Sequence, residues 1–240
     1  MFLVFDKVKL TKILFTLFGM LLLWFACNPK ELMPDTTRVG FDFFPLQVGD
    51  FRVYEVEEIT KTFLFGFDTA RFQLKESLVD SFPGLGGDII YLLHRSKRLS
   101  ANDAWNLDSV WTARRNQSQA VIVESNVPYI KMVFPIDENK IWDGNKLNSA
   151  DNDAYEMLNL FTSFDTGLEV FEETLTVIQN EKLDSIDILD FRKEVYGLNI
   201  GLIYKSSSYL EFCDDIDCLG LKEIEQGRIL KQTIIDYGKE

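Results

Sequence analysis

The chain has 240 residues, 46% of them hydrophobic and 13% aromatic, including 20 phenylalanines, and a formal net charge of -13. That apolar content is ample for a packed core and excludes a disordered chain. The acidity excludes nucleic-acid binding, which needs clustered Lys and Arg to displace the counterions of a phosphate backbone.

Residues 1–26 read as a secretory signal. Lys7, Lys9 and Lys12 supply the positive start, and the apolar run from Ile13 to Ala26 stops at Cys27. The run is shorter than the roughly 20 residues a spanning helix needs. A cysteine placed where the run ends points to lipidation. Trp24-Phe25-Ala26-Cys27 resembles the bacterial lipobox. The resemblance implies that the Cys27 thiol takes a diacylglyceryl group and that the leader is cut just before it, leaving Cys27 to Glu240. With each buried methylene contributing about 0.8 kcal/mol, two or more palmitate-like chains make such an anchor effectively permanent.

Residues 27–40 follow as a polar, proline-containing tether with no clear period. The leader carries three lysines and one aspartate, so its loss removes a charge of +2 and leaves -15. Asn28 stands where the lipobox comparison would put the aspartate of inner-membrane retention, and no acidic run follows Cys27. The expected address is the outer membrane, facing the periplasm.

Residues 41–240 read as one antiparallel β domain. Phe51 to Glu57 and Phe72 to Leu78 alternate apolar and polar, as a strand with one buried face must. Ile89 to His94 is more continuously apolar. Further strands are expected over 109–114, 120–124, 129–134, 168–179, 193–196, 201–206 and 228–236. Turn signals lie at Pro83-Gly84, Gly86-Gly87, Asp143-Gly144-Asn145, Asn180 and Gly227. Residues 149–161 carry apolar side chains at 154, 157, 158 and 161, which is helical spacing. The fold predicted is mainly β: a single antiparallel curved sheet or partly open barrel with one short helix.

Phe43-Phe44-Pro45-Leu46-Gln47-Val48-Gly49, continued by Tyr54 and Val56, resembles the FPL-x-x-G-x-x-W-x-Y-x-V opening of an uncharacterised family of Gram-negative bacterial lipoproteins. Val133-Phe134-Pro135 with Trp142-Asp143-Gly144-Asn145, and Glu194 to Lys205, are similar to two further segments of that family. Arg52 stands where the family commonly has tryptophan, and Asn199 where it commonly has glycine. The resemblance implies an envelope lipoprotein and transfers no catalytic residue. Physically the matched positions are packing and turn chemistry, with Pro45 fixing a strand entry and Gly49 permitting a turn.

Chemistry is sparsely signalled. His94 is the only histidine, and a strand-end structural role suits it better than catalysis without a partner base. Gly84 to Gly87 lacks the lysine and helix of a phosphate loop. Asp151-Asn152-Asp153 with Glu156 lacks the glycine of a calcium loop, and Asp214, Asp215 and Asp217 offer only a short acidic turn. Cys213 and Cys218 flank that turn and are expected to form a disulfide in an oxidising compartment. No catalytic residue, cofactor or metal is assigned. The leading functional reading is a membrane-anchored envelope lipoprotein that binds an apolar ligand or another envelope protein. The alternative is a carboxylate hydrolase of envelope or surface glycans, with Trp105, Trp111 or Trp142 stacking on sugar rings.

Overall fold

Every regular element of the domain but one short turn is a β-strand, and the sequence period explains why. The computed structural model describes residues 39–183 and 186–240, so the leader, Cys27 and most of the tether lie outside the described residues. A 3-10 turn at Phe41–Phe43 precedes twelve strands: β1 (Asp50–Thr62), β2 (Gly66–Pro83), β3 (Ile89–Arg98), β4 (Asn106–Arg115), β5 (Gln119–Glu124) and β6 (Val127–Val133), then β7 (Lys140–Asp143), β8 (Ala154–Asp165), β9 (Val170–Lys182), β10 (Ile188–Gly197), β11 (Gly201–Phe212) and β12 (Ile224–Lys239). Tight turns join many of them. Ser125 and Asn126, at φ 50° and 69°, make the two-residue connection between β5 and β6, whose twist suits a right-handed hairpin.

The strands form one antiparallel sheet in the order β6-β5-β4-β3-β2-β1-β12-β11-β10-β9-β8-β7. Each strand therefore pairs with its sequence neighbours except at the β6–β7 step, and the first strand pairs with the last, Asp50 opposite Lys239. The two outer strands, β6 and β7, come together without a ladder. The Ile130 N–H donates to the Gly144 carbonyl at 2.9 Å, Trp142 Nε1 donates to the Ile130 carbonyl at 2.9 Å, and Asn148 Nδ2 donates to the Pro128 carbonyl at 2.9 Å. These bonds bring the sheet round into a nearly closed barrel.

One end of the barrel is plugged. Phe43 and Phe44 pack with Met132, Phe134, Leu175 and Tyr196 into a core that excludes water. Full burial of a phenylalanine side chain contributes about 1.5–3 kcal/mol. The segment is tied down by polar contacts as well. Arg115 donates to the carbonyls of Phe41 and Phe44 at 2.6 and 2.7 Å, and the Asn199 N–H donates to the Asp42 carbonyl at 2.7 Å. Asn199 sits at φ 62°, the left-handed backbone that asparagine tolerates. A second core joins Tyr54, Val56 and Leu74 with Phe171, Val195, Ile203 and Ile234.

The mainly β expectation is met, and the short helix is not present. Residues 154–161 belong to β8, where Tyr155 and Met157 alternate into the core. Asn159 and Phe161 adopt positive φ and break the ladder with β9 between Leu158 and Thr162. That interruption offsets the apolar residues and imitates helical spacing. Asn180 and Gly227 also lie inside strands, β9 and β12, and are not turns. Gly227 is needed for close approach: a Cβ there would fall 2.8 Å from the Leu210 Cα. Strand β7 was not anticipated, being only four residues long.

Candidate functional site

Alternation along the strands sends one set of polar side chains into the barrel. On β1, Arg52, Val56 and Glu58 face the interior; on β3, Arg95 and Lys97 do so, while His94, just before Arg95, lies on the opposite face. Every strand but β7 contributes to a cavity of about 480 Å³ at the end away from the plug. That size falls within the roughly 300–1,000 Å³ of small-molecule sites. Below it, towards Phe44 and Leu46, lies a smaller chamber of about 50 Å³.

A belt of paired charges separates the two spaces. Glu194, 1% exposed, accepts from Lys131 Nζ at 3.1 Å, from Lys205 Nζ at 3.2 Å and from the Tyr196 hydroxyl at 2.7 Å. Lys131 Nζ also pairs with Glu124 at 2.7 Å. Across the lumen, Arg95 Nε donates to Glu76 at 3.0 Å and its guanidinium carbon lies 3.7 Å from the Trp111 ring centre. Nearer the opening, Arg192 grips both oxygens of Asp153, at 2.7 and 3.0 Å, and Arg228 donates to Glu58 at 2.7 Å.

The titration of the belt follows from this geometry. Burial alone would raise the Glu194 carboxyl, but the Lys131 and Lys205 ammoniums hold it well below the usual carboxylate range. Glu124 is lowered against burial by the same two lysines. Lys131 is raised, since Glu124 and Glu194 outweigh the burial that would deprotonate it. Burial, reinforced by Glu194, pushes the Tyr196 hydroxyl up. Arg52 reaches the turn before β11, donating to the Ile200 carbonyl at 3.1 Å. It can do so only because residue 201 is glycine: a Cβ there would lie 2.6 Å from its Nη1.

The open end is apolar at its tip. The β1–β2 hairpin exposes Phe63, Leu64 and Phe65 at 80, 79 and 86%, and the neighbouring β11–β12 connection exposes Ile216. Cys213 and Cys218 form the expected disulfide in that connection, with Cα atoms 5.9 Å apart. Lys61 Nζ joins the two turns through the Ile224 carbonyl.

The three tryptophans singled out in the sequence are not brought together. Trp111 lines the lumen, Trp105 stacks on Arg98 at 4.1 Å, and Trp142 packs edge-on to Tyr155 in the wall. Asp153 serves as the Arg192 anchor. Among the described residues no group of three or more His, Cys, Asp or Glu side chains is placed to hold a metal ion. Lys131, Glu194, Arg95 and Glu76 were missed as a site. The signal available was a lysine embedded in the apolar run Tyr129 to Phe134.

Glu124 and Glu194 share the Lys131 ammonium, at 2.7 and 3.1 Å. A retaining glycosidase needs one carboxyl raised so that it keeps a proton to donate, whereas the shared lysines lower both of these.

The fold and its lumen define an up-and-down antiparallel β-barrel with a polar, ion-paired interior. No family model and no curated protein matches the sequence. Among solved structures, a Bacteroides fragilis protein of YmcC-like fold, inferred to be exported, superposes with a TM-score of 0.42 at 12% identity, over 82% of this chain and 99% of that one. A likeness that slight has no bearing on function.

Proposed function

We infer that the protein is a lipid-anchored envelope protein that binds a small ligand in the lumen of its barrel and performs no chemistry on it. The observation that carries this reading is the 480 Å³ cavity, walled by eleven strands, with aromatic side chains from Phe72, Trp111, Tyr129 and Tyr155 set among ion-paired polar ones. The plugged end leaves one route in, past the apolar hairpin tip.

Export is supported by the leader and by the disulfide, which persists only where thiols are not kept reduced. Outer-membrane placement on the periplasmic side rests on Asn28 and on the lack of an acidic run after Cys27. Native mass spectrometry of the protein released from its own membranes tests the binding reading. A stoichiometric small-molecule adduct is expected, lost on denaturation. A bare polypeptide mass at every release condition would sink it. Metabolic labelling with an alkynyl palmitate tests the anchor: label is expected on the protein and is lost with Cys27→Ser.

A further inference from the structure

We propose that the ligand is an anion, with a carboxylate or phosphate group seated against Arg95 and Trp111 and an apolar body lying along Phe72, Leu74 and Leu230. This rests on the lumen-binding reading and goes further by naming the chemistry.

The first support is charge. The chain carries -13 overall, yet the cavity is lined by six cations, Arg95, Lys97, Lys131, Arg192, Lys205 and Arg228, and only two carboxylates, Glu58 and Glu124. The carboxylates that hold Arg95, Lys97 and Arg192, namely Glu76, Asp108 and Asp153, do not line it. Glu76, with Glu194 that holds Lys131 and Lys205, lines the smaller chamber below instead. All six cations are ion-paired, so the lining offers an anion charged N–H donors on its surface, where charge-assisted hydrogen bonds form.

The second support is unused hydrogen-bonding capacity. Among the described residues the buried side-chain atoms without a partner are Arg52 Nε, Trp111 Nε1 and Gln179 Nε2. All three are donors, and none is an acceptor. Trp111 and Gln179 both line the large cavity, and Gln179 is only 5% exposed. A buried donor without an acceptor costs free energy, so a wall built with surplus donors is complementary to an acceptor-rich occupant.

Arg95 adds to this surplus. A guanidinium has five N–H donors, and here Nε alone is engaged, with Glu76. Stacking on Trp111 fixes its plane, and among the described residues its terminal nitrogens make no hydrogen bond. A carboxylate or phosphate takes two such parallel N–H groups at once. Gln179, on β9 and six strands round the sheet from β3, supplies a donor on the opposite wall.

Calorimetric titration of the full-length protein in phosphatidylcholine nanodiscs, with bare nanodiscs subtracted, tests the assignment with three short probes: octanoate, octyl phosphate and octanol. At least one anion is expected to bind about tenfold or more tighter than octanol, and the tighter anion identifies the head group. Arg95→Gln should remove that preference, leaving octanol unaffected. Trp111→Phe, which keeps the ring and loses only the N–H, should weaken the anion several-fold, and it preserves the test if Arg95→Gln does not fold. Equal affinity for octanol and both anions overturns the inference while leaving lumen binding intact. Binding by none of the three also overturns it, and the adduct measurement above then decides separately whether the lumen binds anything.

Discussion

Lys131 and Glu194 meet at 3.1 Å in the middle of the barrel, although they are 63 residues apart in sequence and seven strands of the sheet lie between theirs. Lys131 is on β6, at one edge of the sheet, and Glu194 is on β10, in the other half, so their contact exists only once the sheet has curled. The clasp therefore belongs to barrel closure.

Removing one member should be costly, because the other charges remain buried. Glu194→Gln leaves Lys131 and Lys205 facing each other with one carboxylate, Glu124, between them. The expected loss is about 3–5 kcal/mol in urea unfolding. Lys131→Met in the same chain should cost less than the sum of the two single changes, since each variant already breaks the same contact. Strict additivity would show that the belt is not a unit.

Acid should weaken the fold in a defined window. An unfolded glutamate titrates near 4.3, and the native barrel holds Glu194 and Glu124 below that value. Their contribution is whole above about pH 4.3 and is lost progressively as the pH falls towards the lower native values. Lys131, raised in the native state, contributes fully below about pH 10.4 and loses its contribution only at higher pH. Unfolding free energy measured from pH 3 to 9 should thus be flat above about 5 and fall below it, and Glu194→Gln should flatten the acid limb. A stability that rises on acidification would contradict the assignment.

Phe43→Ala should remove the centre of the plug. Phe43 is fully buried, and its truncation is expected to cost about 3–5 kcal/mol by thermal or urea unfolding. By contrast, Phe63→Ser with Phe65→Ser at the hairpin tip should change stability by less than about 0.5 kcal/mol, because both rings already stand in solvent. A large loss at the tip would mean that it packs against something.

Reduction of Cys213–Cys218 should lower the melting temperature modestly. The bridge closes a loop with a sequence separation of 5, so its stabilisation falls below the ~3 kcal/mol of a 15-residue loop. Melting with and without a reductant measures this, and the barrel should remain folded.

Much of the architecture was legible because strand alternation survives in the sequence. Phe51 to Glu57 and Phe72 to Leu78 fall within β1 and β2, with Tyr54, Val56, Leu74 and Leu78 buried. The site was not legible because its charges sit on the face that alternation marks as buried. Arg52 shares a side of β1 with Tyr54 and Val56, Glu76 lies between Leu74 and Leu78 on β2, and Arg95 follows Leu93 on β3. A charge at such a position interrupts the apolar pattern, and only closure of the sheet supplies the partners that make it an inward site. Lys131 was the exception that could have been noticed, since its neighbours Ile130, Met132 and Val133 offer no polar face to explain it. The misread segment 149–161 failed where a ladder break at Asn159 to Phe161 shifted the period.

The pairing of β1 with β12 has a consequence for assembly. The first strand of the domain can form one ladder as soon as β2 exists, but its other edge waits for the sixteen residues of β12. A polypeptide still being synthesised therefore carries an unprotected strand margin open to other chains. Delivery across a membrane as an unfolded thread would suit this layout, because both halves of the central ladder then arrive before either can mispair.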